Sequence, residues 1–256
     1  MRKRSRSWHG TLLSRIESPP PLVKNQYCGD VGDLSKFALL RSLRQSFPQD
    51  RLGLIWYLTP DDKGRLAGKD GRIPPPEDLR LRGPTLYSSL ETVRRLKCMS
   101  AFRETGLLDR DLAFEEELRF SSHRAPERAK DRDAWFKRAC EATEGRDIVL
   151  LDPDNGIETS QLSSGSPRSV QYVLRKEIKL LHDRGQAVVC YQHAARSRPF
   201  DEELQRLLAT FPGSFTLRWR RVQARAYLVW LVGDRDFRPW ANELADAWPG
   251  AFAAPV

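Results

Sequence analysis

Side chains suited to acid–base chemistry are concentrated in one short stretch of the 256-residue chain, the sequence DPDNG at 152–156, with Glu158 two positions further on. Asp152 and Asp154 supply carboxylates, and Asn155 supplies a carboxamide. Such groups at this spacing can orient a water molecule or accept a proton. The alternative is a turn that only reverses the chain, since Asp, Asn and Gly are common turn residues. A turn needs one or two of them, so the surplus favours a functional site.

A buried strand is predicted to carry this stretch. Residues 148–151 form an apolar run with β-branched members, as in strands of a parallel sheet that are covered on both faces. Ligands of open α/β sheets bind just beyond the carboxyl ends of such strands. The polar stretch at 152–156 therefore lies where a ligand is expected.

A second predicted strand, 187–191, ends in a further polar group containing Gln192, His193 and Arg196. The chain has four histidines, and His193 is the one that ends a predicted core strand. We expect it either to act on a substrate or to hold a structural hydrogen bond. Both strand ends should meet at one edge of the sheet.

A third polar group precedes a predicted helix. Asp33 is placed as its N-cap, with Asp30 in the preceding loop and Lys36 on the same face of the first turn. Capping explains one of these residues, and a site would explain all three. Tyr27 before this helix, and Tyr57 at the end of a predicted strand over 52–58, could stack on a substrate ring, as could Trp56.

The order of elements predicts an α/β fold with a mainly parallel sheet flanked by helices. Apolar runs at 215–219 and 226–232 predict a C-terminal hairpin, and helical spacing is found at 87–102, 110–120, 134–143, 170–184 and 201–211. We expect a basic, flexible arm over 1–23 and a single catalytic domain over 24–256.

The net charge of +9 and the pI near 9.6 favour a polyanionic partner. Arg218, Arg220 and Arg221 form a cluster suited to phosphate groups, so we expect nucleic acid to be bound there. The alternative is a set of solvated charged faces. Neither a long apolar run nor a secretion signal is present, which predicts a cytoplasmic protein without a membrane partner. The four scattered cysteines suggest neither a zinc site nor a disulfide framework.

The order of these pieces resembles the RlmJ-type ribosomal-RNA adenine-N6 methyltransferases. Cys28-Gly29-Asp30 and Asp33-Leu34-Ser35-Lys36-Phe37 correspond to that family's A-G-N and D-V-L-K-H elements, and Leu151-Asp152-Pro153-Asp154-Asn155 corresponds to its I-D-P-P-Y. The resemblance implies a Rossmann-like, methyltransferase-like fold with Asp152 at the catalytic position. Where the family has a glycine-rich turn for adenosylmethionine, this chain has Thr59-Pro60-Asp61-Asp62. The expectation is a related fold that uses no cofactor.

A local resemblance points to different chemistry. The DPDNG stretch is similar to the D-P-x-H-G element of uracil-DNA glycosylases, and 192–197 is loosely similar to their H-P-S-P-L-S element. It implies that Asp152 or Asp154 supports a hydrolytic water, that Asn155 positions the water or the base, and that His193 with Gln192 stabilises the departing base.

These features together predict an enzyme that excises an ordinary or modified base from DNA rather than RNA, without cofactor or metal. Such an enzyme would suit defence against foreign DNA. The alternatives are an adenosylmethionine-dependent adenine methyltransferase, a metal-dependent nuclease with Asp30, Asp33, Asp152, Asp154 and Glu158 as ligands, and a binding protein without catalysis.

Overall fold

A computed structural model describes residues 28–59, 74–96, 100–107, 113–159, 161–194, 199–221 and 225–253. Tyr27, Arg196 and the proposed arm over 1–23 lie outside these ranges. The helices are α1 (Val31–Ser46), α2 (Pro84–Leu96), α3 (Ser100–Glu104), α4 (Ala125–Ala142), α5 (Arg175–Asp183), α6 (Phe200–Thr210) and α7 (Arg238–Ala247), with 3-10 helices at Glu77–Arg82 and Pro167–Gln171. The strands are β1 (Leu52–Trp56), β2 (Ala113–Phe114), β3 (Ile148–Asp152), β4 (Gly156–Ile157), β5 (Tyr172–Val173), β6 (Ala187–His193), β7 (Phe215–Trp219), β8 (Arg225–Trp230) and β9 (Phe252–Ala253).

The main sheet has seven strands in the order β2-β1-β3-β6-β8-β7-β9. Strands β1, β2, β3, β6 and β7 run in one direction, while β8 and β9 run in the other. The fold is thus α/β with a mostly parallel mixed sheet, as predicted. Strands β7 and β8 pair antiparallel, which confirms the predicted hairpin pairing. Because β1, β3 and β6 are parallel neighbours, their carboxyl ends lie at one edge.

Helices cover both faces of this sheet. Buried residues of α1, α2, α3 and α7 share one apolar cluster with Leu54, Leu150 and Val189, on the face that we call the α1 face. Buried residues of α4, α5 and α6 share a second cluster with Val149 and Cys190 on the opposite face. Since successive strand residues point to opposite faces, β3 is apolar on both sides, and the continuous run in its sequence is explained. No helix in the described ranges is long and apolar enough to cross a membrane.

Two helix predictions were wrong. Residues 113–114 form β2 inside the predicted helix over 110–120, and Leu118 instead donates its backbone N–H to Leu58 at 2.9 Å. The predicted helix over 170–184 begins only at Arg175, because a 3-10 helix and β5 precede it. Conversely, α4 begins nine residues before the predicted helix over 134–143. The high charge of these residues had indicated a connecting segment instead of a helix.

Candidate functional site

The predicted N-cap of α1 is corrected by one turn. Asp30, not Asp33, caps the helix, since its backbone is extended and its Oδ1 accepts the N–H groups of Gly32 at 2.6 Å and Asp33 at 3.0 Å. Asp33 lies inside the first turn, where its Oδ2 accepts the N–H of Gly29 at 2.7 Å. This turn therefore presents the second oxygen of Asp33, together with Lys36, towards the sheet.

Lys36 joins α1 to the carboxyl end of β3. Its Nζ lies 2.8 Å from Asp152 Oδ2 and 3.3 Å from Asp33 Oδ1. The ammonium also lies over the rings of Trp56 and Tyr191, 5.3 and 5.6 Å from their centroids. One cation is thus shared by two carboxylates and two aromatic faces, and it unites two of the three predicted polar groups.

Asp152 has one carboxylate oxygen engaged and one that is not. Its side chain is 6% exposed, and Oδ1 is buried with no hydrogen-bond partner among the described residues. Burial raises the pKa of Asp152 to about 6, against the opposing effect of the Lys36 charge. Burial lowers the pKa of Lys36, but the charges of Asp152 and Asp33 outweigh it and hold that pKa well above the usual range. Near neutral pH the site therefore holds a charged ammonium and a carboxylate that can take up a proton.

The remaining predicted polar group, which contains Gln192 and His193, lies at the end of the neighbouring strand β6. Tyr191 and His193 are two residues apart and therefore share a face, and the Tyr191 hydroxyl lies 3.1 Å from His193 Nδ1. Burial raises the pKa of Tyr191 to about 12, so this hydroxyl keeps its proton at neutral pH. When it donates to Nδ1, the neutral imidazole carries its proton on Nε2.

The rest of the DPDNG turn is anchored by hydrogen bonds to Thr59 and Gln171. Asp154 is exposed and its Oδ2 accepts from the Thr59 hydroxyl at 3.3 Å. Asn155 donates from Nδ2 to Gln171 Oε1 at 3.2 Å, and its backbone N–H bonds to the Gln171 carbonyl at 2.9 Å. The Asn155 side chain therefore helps to hold the turn in place.

Glycine is required where the turn passes β6. Gly156 has a φ of +100°, and a Cβ there would lie 2.5 Å from Gln192 Oε1. That oxygen accepts the N–H of Ile157 at 2.8 Å, while Gln192 Nε2 donates to the His193 carbonyl at 3.0 Å. Gln192 is therefore buried, and its side chain links the two strand ends.

Two further predicted residues lie in structural networks. Tyr57 is buried in the apolar cluster of the opposite face, and its hydroxyl donates to Glu177 at 3.1 Å. Glu158 accepts the backbone N–H of Arg175 at 2.8 Å, at the start of α5. Neither contact brings these residues to Asp152 Oδ1.

The arginine cluster is largely paired. Arg218 bonds to Asp201 and Arg221 to Asp78, each at 2.5 Å, while Arg220 is exposed. In the described part of the chain, no three His, Cys, Asp or Glu side chains are grouped so that they could hold a metal ion. Cys28, Cys140 and Cys190 are buried, and Cys140 and Cys190 are free thiols.

Neither Tyr191 as a site residue nor the pairing of Lys36 with Asp152 was predicted from the sequence. For Tyr191 the signal was available, because its two-residue spacing to His193 places both on one face. Compared with known proteins, the chain matches no family model, no curated protein and no solved structure.

Proposed function

We propose that this protein is a DNA glycosylase that hydrolyses the N-glycosidic bond of a base, with Asp152 as the catalytic carboxylate. The observation that carries the proposal is the state of Asp152: Oδ2 is fixed by Lys36, and the buried Oδ1 has no described partner. A buried carboxylate with a raised pKa and an unused oxygen is suited to act as a general base. Oδ1 would accept a proton from the water that attacks the sugar.

The charge of the site agrees with this chemistry. Cleavage creates positive charge on the sugar and negative charge on the departing base. Asp152 and Asp33 give the pocket around Lys36 one more negative charge than positive charge when both are ionised. His193, with its proton on Nε2, would donate to the leaving base, as expected from the resemblance to uracil-DNA glycosylases. The base would have to leave the duplex stack to reach these groups.

Methyl transfer is the second candidate, because an unpartnered carboxylate oxygen could equally accept a hydrogen from an adenine amino group. We include in that candidate the finer assignment of the fold as Rossmann-like and methyltransferase-like. It is supported by the run of parallel strands β1, β3 and β6 with helices on both faces. The two candidates differ in whether adenosylmethionine is needed.

The test is to incubate the protein with DNA containing ordinary or modified bases, without cofactor or metal, and to measure alkali-labile abasic sites. Asp152→Asn should abolish base release, and His193→Ala should reduce it by about 10²–10³-fold, the usual cost of removing one hydrogen-bond donor to a developing negative charge. Asp133→Asn is the matched control, since Asp133 is an exposed carboxylate on α4. If no base is released and the wild-type protein binds adenosylmethionine, the glycosylase proposal is wrong and methyl transfer takes its place.

A further inference from the structure

A groove follows the outer side of α1 away from Lys36. It consists of two adjoining clefts with volumes of about 270 and 530 Å³, which share the lining residues Arg41, Thr85 and Leu86. We call it the α1 groove. Its first cleft begins at Phe37, the residue after Lys36, and its second extends to α7. The first cleft also contacts Leu52, the first residue of β1, so the groove runs along α1 from the turn that carries Lys36 towards the amino-terminal edge of the strands.

Positive charge and hydroxyl groups dominate the polar lining of the α1 groove. The charged members are Arg41, Arg44, Arg82 and Glu243, and the hydroxyl-bearing members are Ser42, Ser46, Thr85, Ser89 and Thr105. Guanidinium and hydroxyl groups together are the usual partners of phosphate oxygens. The polar part of the lining therefore fits the phosphate groups of an anionic chain.

The guanidinium groups of this groove differ in their ion pairing from those of the arginine cluster at 218–221. Arg41 and Arg82 are exposed, and neither has an ion pair or hydrogen bond to any described residue. Arg218 and Arg221, in contrast, are neutralised by Asp201 and Asp78. An anionic ligand that binds at Arg41 and Arg82 therefore displaces no internal carboxylate. Arg220 is the exposed member of the cluster, so the cluster offers one such guanidinium group and the groove offers two.

We propose that the α1 groove binds the phosphodiester backbone of the nucleic acid whose base reaches Asp152. This inference rests on the proposed function for the identity of the ligand. Arg41 follows Lys36 by five residues, which is about 7.5 Å along a helix axis. Along the helix axis this separation is about the length of two stacked nucleotides, at about 3.4 Å each. The groove would position the substrate without reading its sequence.

The test is the salt dependence of binding, measured by fluorescence anisotropy with a labelled single-stranded oligonucleotide and its duplex in increasing KCl. Each phosphate contact contributes about 0.7–0.9 to the slope of log K against log salt. Arg41→Ala/Arg82→Ala should therefore reduce the slope by about 1.4–1.8, the sum for two contacts. Glu243→Gln should tighten binding, because it removes the one carboxylate that lines the groove.

The control is Arg124→Ala/Lys137→Ala, which removes the same charge from side chains that are both 79% exposed, at the opposite face. Its slope should match that of the wild type. An equal loss in both double variants would show a general effect of net charge and would overturn the proposal. So would an unchanged slope in Arg41→Ala/Arg82→Ala, or a wild-type protein that binds neither oligonucleotide.

The outcomes separate this inference from the proposed function. If the groove variant loses slope while the wild type releases no base, the groove proposal stands and the glycosylase proposal fails. If the wild type releases base and the groove variant binds as the wild type does, the glycosylase proposal stands and the groove proposal fails. Asp152→Asn should leave the salt slope unchanged, since Asp152 does not line the groove.

Discussion

Replacing Lys36 by methionine should destabilise the fold strongly at neutral pH. The change leaves the carboxylates of Asp152 and Asp33 buried, with side chains 6% and 8% exposed, and removes the cation that both contact. Removing one partner of a buried ion pair costs about 3–5 kcal/mol. Lys36 itself is 15% exposed, so we expect a loss in the unfolding free energy near the lower limit, about 3 kcal/mol.

The loss of unfolding free energy caused by Lys36→Met should be smaller at acidic pH, because the pKa of Asp152 is raised. Burial raises that pKa from 3.8 to about 6, so the native state binds this proton more tightly than the unfolded chain does. The resulting stabilisation is complete below pH 3.8 and is lost as the pH rises through 6, a change of about 3 kcal/mol at about 1.4 kcal/mol per pH unit. Without Lys36 the pKa of Asp152 rises further, so the carboxyl group is neutral over a wider range.

The assay is urea denaturation followed by tryptophan fluorescence, at a pH of about 5 and again at about 7.5. Lys179→Met is the matched control, because Lys179 is exposed on α5. Lys36→Met/Asp152→Asn should recover part of the loss at the higher pH, since the uncompensated charge is gone. A loss below about 1 kcal/mol for Lys36→Met, which is the range of an exposed pair, or an equal loss at both pH values would refute the reasoning.

Three further predictions concern the surroundings of the site. Base release should increase as the pH rises through about 6, because Asp152 must lose its proton to act as a base; a rate that is flat across this range would contradict the role. Gly156→Ala should lower the unfolding free energy more than Gly185→Ala, since both glycines have positive φ but only Gly156 has an atom within 3 Å of the added Cβ; urea denaturation of both variants checks this. Arg132→Met should cost about 3–5 kcal/mol by the same assay, because its side chain is fully buried against Glu177, and Arg132→Met/Glu177→Leu should recover much of that loss.

Much of the sheet could be predicted because its central strands are apolar on both faces. The runs that contain β1, β3 and β6 are short, rich in β-branched or aromatic residues, and bounded by polar residues, so their position follows from the sequence. Strand β2 has only two residues and no such run. Helix α4 begins in a highly charged segment, and its burial against the sheet depends on few residues, so local periodicity gave no signal for its first turns.

The polar residues of the site could be predicted individually, but not their contacts. Strand ends supplied Asp152 and His193, and a helix start supplied Lys36. The bond from Lys36 to Asp152 joins positions 116 residues apart, and no local pattern contains that information. Tyr57 and Glu158 looked equally functional in sequence, yet tertiary packing gives their polar groups structural partners.

The contrast between Asp152 and Glu177 supports the proposed catalytic role of Asp152. Glu177 is also buried, and both of its oxygens are bonded: Oε1 to Arg132 Nε, and Oε2 to Arg132 Nη2, the Tyr57 hydroxyl and the Leu174 N–H. A carboxylate kept only for structure is expected to be satisfied in this way. Asp152 instead keeps Oδ1 without a described partner and has a raised pKa, at a cost to stability near neutral pH. Such a loss of stability is typical of catalytic groups, because a proton acceptor must have an oxygen that is not already hydrogen-bonded within the fold.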